Sequence, residues 1–350
     1  MIAPRLEINL KKIYHNAQKL VELLAERNIS VTGVTKAVLG SHEIATILLK
    51  AGVISLGDSR IENIEKMQDA GVPATMTLIR SPMLSQVDRV VKHADVSFNS
   101  ELKVIRQLSI AAQKIKQAHG IVLMVELGDL REGIMSADLN NTVHEILRFP
   151  NIKLRGLGTN LACRSGVSPS TENMTELSSL VDSIETTFNV SLDIVSGGNS
   201  ANLAWALSCT DCGRINNLRL GEAILLGREP LHRQPIDGLH TDAITLVAEV
   251  IESKVKPSQP WGEMAQTAFG EKNLEADRGN ISQAILAIGI QDTDPIGLAP
   301  PSPINILGAS SDHLIVESNV SVGTEMTFQL NYSALVRAMT SPFVTNIINS

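Results

Sequence analysis

The 350-residue chain contains only three cysteines, Cys163, Cys209 and Cys212. So small and odd a number does not build a disulfide framework and fits a reducing compartment. No run of about 18 uncharged apolar residues occurs, so no transmembrane helix is expected. The opening segment MIAPRLEINLKK lacks the apolar centre of an export signal, which points to a cytoplasmic protein. Long basic runs are also missing and the formal net charge is −7. Neither nucleic acid nor an anionic membrane is therefore expected as a partner. The pair Cys209 and Cys212 is not completed by a second cysteine or histidine pair, so no metal site is expected.

What the chain does have is apolar patterning, with 43% hydrophobic residues, enough for a large core. From about residue 30 to 230, short apolar runs alternate with longer amphipathic stretches. The runs are VTGVTK (31–36), VISLG (53–57), ATMTLI (74–79), DVSFN (95–99), GIVLMVEL (120–127), KLRGLGTN (153–160), LDIVSG (192–197) and NLRLGEAILLG (217–227). They read as buried parallel strands, and the stretches between them have helical spacing, with Ser41 and Ser100 as N-caps. About eight βα units predict a closed (β/α)8 barrel over residues 11–236, with an open doubly wound sheet as the alternative. Beyond residue 237 the pattern changes to alternating segments such as AITLVAEVIESKV, INILGAS, HLIVES and TEMTFQL. These predict a β-rich second domain over 237–350, joined by a strand within residues 1–10. The polar stretch 270–280 reads as a loop.

Four segments carry chemistry. Lys36 closes the first apolar strand, and barrel sites form at the C-terminal ends of strands. A lysine set between Val34 and Ala37–Val38 is open to desolvation, which favours the neutral amine and makes it a nucleophile toward aldehydes. An isolated lysine at a strand end is equally compatible with a solvated side chain. GGNSANLAWAL (197–207) follows a strand and opens a helix, and Asn199 or Ser200 can cap it. The same turn offers free N–H groups to a phosphate. NNLRLGEAILLG (216–227) places Arg219 at another strand end, with Gly221 allowing close backbone approach. ELGDLREG (126–133) supplies Arg131, which could equally be paired with Asp129 or Glu132.

Taken in order along the chain, these segments resemble the fold-type III pyridoxal-phosphate (PLP) enzymes, the alanine racemase group. LEINLKKIYHNA is similar to that family's opening segment, VTGVTK to its strand ending in the PLP lysine, and ELGDLREG to the segment with its cofactor-contacting arginine. GLGTN resembles a strand ending in Thr-His, with Asn160 in place of the histidine. The resemblance implies that Lys36 carries PLP as a Schiff base and that Arg131 lies near the phenolic oxygen. It implies Arg219 at the pyridine nitrogen, with Asn160, Asn199, Ser200, Gly221 and Glu222 around the rest of the cofactor. GASSDHLIVE (308–317) is similar to a segment near the substrate carboxylate, which implies Ser310, Ser311 and Asp312. NNLRLGEAILLGRE, AFGE, IQD (290–292), SSDH (310–313) and RAMTSPFV (337–344) resemble the ornithine racemase-like branch.

That family's second base is a tyrosine of a Tyr-Gly pair. Here QPWGEMAQ places Trp261 before Gly262, and an indole, a donor only, cannot act as a base. Asp312, His313, Asp292 and Glu263 are the candidates for that role, and Asp292, Asp312 and Glu263 are also candidate counter-charges for a substrate side-chain ammonium. A phosphate-binding tyrosine near the C-terminus is also replaced, with Thr340 or Ser341 nearby. The resemblance implies racemisation of a small amino acid, a basic one such as ornithine or lysine, by a head-to-tail homodimer. A non-catalytic PLP carrier and another PLP reaction (D-amino-acid aldolase, dehydratase or decarboxylase) are the competing readings. The β-rich second domain argues against the carrier, and the lack of a ligand cluster argues against the metal-using aldolase and dehydratase types.

Overall fold

The computed structural model describes residues 2–270 and 276–349; part of the polar stretch 270–280 lies outside them. Two compact units emerge, Lys11–His240 and the pair Met1–Leu10 with Thr241–Ser350.

The first unit is a closed parallel barrel. β1 (Arg5–Asn9) belongs to the other unit, and α1 (Leu10–Ala25) leads into the barrel. Its strands are β2 (Ser30–Val34), β3 (Ser55–Asp58), β4 (Thr75–Leu78), β5 (Val96–Asn99), β6 (His119–Met124), β7 (Ile152–Gly158), β8 (Ile194–Gly198) and β9 (Asn217–Leu220). Each pairs with the next in sequence, and β9 closes on β2. The intervening helices are α2 (His42–Lys50), α3 (Ile61–Asp69), α4 (Val87–His93), α5 (Leu102–Lys114), α6 (Leu139–Ile146), α7 (Thr171–Phe188) and α8 (Leu203–Ser208). Ser41 caps α2 by accepting from the Ile44 amide at 3.3 Å. Ser100 does not cap α5; that helix starts after Glu101, with no side-chain cap. The long apolar run at 217–227 divides into β9 and α9 (Glu222–Leu226), because Gly221 breaks the strand where a Cβ would stand 3.2 Å from the Cβ of Val34. The barrel unit extends through residue 240 rather than ending at 236. Residues 237–240 bind α1, with Asn16 Nδ2 donating to the His240 carbonyl at 2.9 Å and the His240 amide donating back to Asn16 Oδ1 at 2.7 Å.

Within the barrel, Val96, Phe98, Val122 and Met124 form an apolar cluster. Beside it runs a buried polar chain. Arg219 Nη1 donates to Ser196 Oγ at 2.5 Å, Ser196 Oγ to Asn217 Oδ1 at 2.8 Å, and Asn217 Nδ2 to Thr32 Oγ1 at 3.0 Å. Pairing buried polar groups in this way removes the desolvation penalty each would carry alone. His119 is 1% exposed and bonded to Ser97 Oγ. Burial pushes its pKa from 6.5 down to about 4, against a smaller opposing effect from the Ala94 backbone. An unfolded histidine takes up its proton at the higher pH, so this stabilisation is complete above pH 6.5 and is lost as the pH falls toward 4. The full difference is about 3 kcal/mol. Urea unfolding should show that decline between pH 7 and 4, and His119→Asn should flatten it by a similar amount.

The second unit is an eight-stranded sheet with β10 (Ile244–Pro257), β11 (Asn280–Leu286), β12 (Leu298–Ala299), β13 (Asn305–Ala309), β14 (Leu314–Glu317), β15 (Glu325–Leu330) and β16 (Thr345–Asn349), crossed in sequence by α10 (Tyr332–Thr340). β1 pairs antiparallel with β10 and parallel with β16. Among the described residues, no helix is long and apolar enough to cross a membrane. Cys209 and Cys212, expected as thiols, are joined in a disulfide: the turn after α8 brings their Cα atoms to 5.8 Å, within disulfide range.

Candidate active site

Lys36 lies two residues past the end of β2, after Thr35, and opens a single helical turn, Lys36–Val38, closed by Leu39 at φ +51°. The side chain is half-buried. Burial pushes its ammonium pKa below the ordinary lysine value. Arg131 and Arg219 push the same way, whereas Cys163 and Asp58 oppose them. Groups from β3 and β9 and from the loops after β6 and β7 thus act on one amine at the C-terminal rim of the barrel.

Arg219 is the most constrained of these groups. Besides Ser196, its Nη2 donates to the Thr159 carbonyl at 2.8 Å and to Asn160 Oδ1 at 3.4 Å, and the guanidinium lies 4.8 Å over the Phe98 ring. Complete burial pushes its pKa down to about 10, with the Arg131 charge adding to the effect, so it stays cationic at neutral pH. Asn160 Oδ1 also accepts from Asn199 Nδ2 at 3.1 Å, which ties the β7 and β8 loops together. Asn199 caps the following turn through the Ala201 amide at 2.7 Å. Ser200 Oγ accepts from the Ala223 amide at 3.2 Å, joining the Gly197–Gly198 turn to the Gly221–Glu222 turn. Gly198 has φ +143°, and a Cβ there would meet Asn202 Oδ1 at 2.1 Å, so only glycine serves. Burial raises the Glu222 carboxyl pKa to about 7, against a counter-pull from Arg233.

Arg131 is exposed and forms an ion pair with Glu132. Burial works against its charge, but the Glu132 pairing outweighs this and holds the guanidinium pKa above its ordinary value. Asp129 has a different partner set. Fully buried, its carboxylate accepts from the amides of Cys163, Arg164 and Ser165 at 3.2, 2.9 and 3.1 Å. It therefore clamps the β6 loop, which carries Arg131, to the β7 loop, which carries Cys163. Sequence reasoning missed Asp58, Phe98, Asp129 and Cys163 as parts of this cluster; their positions at or just past strand ends were the available signal.

Lys36, Arg131, Asn160, Asn199, Ser200, Arg219, Gly221 and Glu222 therefore share one rim. The remaining predicted residues group within the second unit. Ser310 to His313 form the β13–β14 turn, where Asp312 Oδ1 pairs with His313 Nδ1 at 2.8 Å and receives Ser311 Oγ at 3.2 Å. Asp292 is 7% exposed; it accepts from Ser341 Oγ at 2.9 Å and from the Gly289 amide at 3.3 Å. These contacts engage it in holding its own unit together rather than leaving it open as a counter-charge. Trp261 is 83% exposed, and Glu263 is exposed as well. Thr340 Oγ1 is spent on helix carbonyls at 3.0 Å. Among the described residues, no group of three or more His, Cys, Asp or Glu could hold a metal ion.

Residues 8–229 match the family model described as alanine racemase, N-terminal domain. Ornithine racemase of Acetoanaerobium sticklandii is 40% identical over 348 residues, covering 97% of this chain and 98% of that protein. Lysine racemase of Thermotoga maritima is 39% identical over 353 residues, with 99% of both chains covered. Among solved structures, alanine racemase of Clostridium difficile 630 superimposes with a TM-score of 0.75 at 20% identity, covering all of this chain and 96% of that one. With its family's model matched over more than half its length and its relatives aligned nearly end to end, this chain belongs to the alanine racemase family.

Proposed function

We propose that the protein binds PLP through Lys36 and racemises a basic amino acid. The observation that carries the cofactor reading is a half-buried lysine at a barrel rim, pushed toward its neutral amine by burial and by the charges of Arg131 and Arg219. The rim also fits the group in detail. Asn160 Nδ2 is a buried donor with no partner among the described residues, which is costly unless a ligand accepts from it. The Gly197–Gly198 and Gly221–Glu222 turns, linked through Ser200 and Ala223, present backbone where a side chain would intrude.

Bound there, PLP supplies an electron sink conjugated to the substrate Cα. The protein's residues do the rest. Lys36, favoured as the amine by burial, serves as nucleophile toward the aldehyde and as the base that removes or returns the Cα proton on one face. Arg219 would donate to the ring nitrogen and keep it unprotonated, because a guanidinium has no proton to give up at neutral pH. Ser200 and the backbone at Gly221 and Glu222 would hold the phosphate. A Glu222 carboxyl that is partly protonated near pH 7 repels that dianion less than a full carboxylate would. Arg131 would stand at the phenolic oxygen, and Asp312 and His313 are the candidates for the second acid/base. A homodimer is the assembly proposed.

The substrate class rests on the ornithine and lysine racemases aligned above. One charge-assisted hydrogen bond to the side-chain ammonium would contribute about 2–3 kcal/mol. L-ornithine or L-lysine should therefore be racemised about 30- to 150-fold more efficiently than L-alanine. Chiral chromatography of initial rates checks this, and equal or inverted preference would remove the basic class.

A further inference from the structure

Asp58, the last residue of β3, has a fully buried side chain that no step above uses. Its Oδ2 accepts from Thr35 Oγ1 at 2.8 Å, and its Oδ1 accepts from the Arg60 amide at 2.9 Å and from Asn63 Nδ2 at 3.0 Å. These donors carry no charge. Thr35 is itself fully buried and immediately precedes Lys36. Its hydroxyl has a second acceptor within reach, the Gly57 carbonyl at 3.4 Å. A carboxylate inside a barrel, held by neutral donors and bonded to the residue that starts the lysine turn, asks for a function beyond packing.

We propose that Asp58 is a positioning residue for Lys36: through Thr35 it fixes the turn that carries the lysine, and its buried negative charge steadies the Lys36 ammonium against two neighbouring arginines. The groups whose charges reach Lys36 are Cys163 from the β7 loop, Arg131 from the β6 loop, Arg219 from β9, Glu222 from α9 and Asp58 itself. Asp58 raises the proton affinity of Lys36, opposing burial and both arginines. Without it, the amine would lose its proton at still lower pH. Asp58 thereby tempers the desolvation that makes Lys36 a nucleophile and keeps a proton available for return to carbon. The functional consequence rests on the proposed role of Lys36, whereas the electrostatic coupling does not.

The two contributions separate by mutation. Asp58→Asn removes the charge and can keep the tie: the new amide donates to Thr35 Oγ1, whose own proton turns to the Gly57 carbonyl. Thr35→Val removes the tie and keeps the charge. The test is competitive labelling of the full chain, cleared of bound aldehyde with hydroxylamine, by trace acetic anhydride across a pH series. Mass analysis of the Lys36 peptide gives the pH midpoint of that amine. Asp58→Asn should lower the midpoint by more than about 0.3 unit, the direction expected for losing a nearby opposite charge. Asp58→Ser, smaller and neutral, should move it the same way. Thr35→Val should leave it within about 0.3 unit and weaken PLP binding several-fold. Folded Asp58 variants whose midpoint stays put or rises would overturn the proposal, as would a Thr35→Val midpoint that falls as far as that of Asp58→Asn. Because the label reads the amine itself, a failed racemase assay would leave this result standing.

Discussion

Replacing Lys36 with alanine should abolish covalent capture of PLP and lower racemisation by at least about 10³-fold, since one side chain serves both as cofactor anchor and as Cα base. The fold should not suffer. Lys36 is half-buried, and burial disfavours its ammonium where it stands, so truncation removes a desolvated charge, and circular dichroism should show the barrel retained. Borohydride reduction of the PLP-loaded wild type, followed by peptide mass analysis, should place the adduct on Lys36. The variant should carry none. An adduct on another lysine, or a variant that keeps its turnover, would move the site elsewhere.

Arg219→Glu is expected to act on both stability and chemistry. The wild-type guanidinium is 5% exposed and satisfied by Ser196, the Thr159 carbonyl and the Phe98 face. A carboxylate there faces carbonyl oxygens it cannot bond, and breaking such a buried charged network costs about 3–5 kcal/mol. In protein that remains folded, glutamate accepts at the ring nitrogen where arginine donates, and so favours a protonated nitrogen. Racemisation should fall about 10²- to 10³-fold, the scale for losing one preorganised donor, while transamination, read as keto-acid release, should rise. Arg219→Lys keeps the charge but not the fork. It should lose activity without gaining transamination, which separates loss of charge from loss of geometry. Unaltered partitioning in the glutamate variant would show that Arg219 does not face the ring.

Much of the architecture was legible because parallel barrel strands, buried on both faces, advertise themselves as short apolar runs. VTGVTK and DVSFN correspond to β2 and β5 with little adjustment. The run at 217–227 was less readable, since a buried strand and a buried helix turn have the same composition; only the close approach of Gly221 to Val34 divides them. Ser41 caps its helix and Ser100 does not, although both precede an acidic residue, because capping depends on local backbone as well as residue type. The site residues that were missed share a different cause. Asp129 reaches its amide partners 34 to 36 residues away, and Asp58 meets Thr35 across 23; no linear spacing encodes either pairing. Asp292 misled for the same reason. An acidic residue in sequence looks available, and only the fold reveals Ser341, 49 residues on, bonded to it.

The most direct test of the central claim is to incubate the PLP-loaded protein with single enantiomers of ornithine and lysine in D2O and to follow each by chiral chromatography with mass detection. The account predicts that both enantiomers approach an equal mixture, with deuterium at Cα in the inverted product and no exchange in the Lys36→Ala variant. Recovery of each enantiomer unchanged and undeuterated, across these and the other common amino acids, would contradict it.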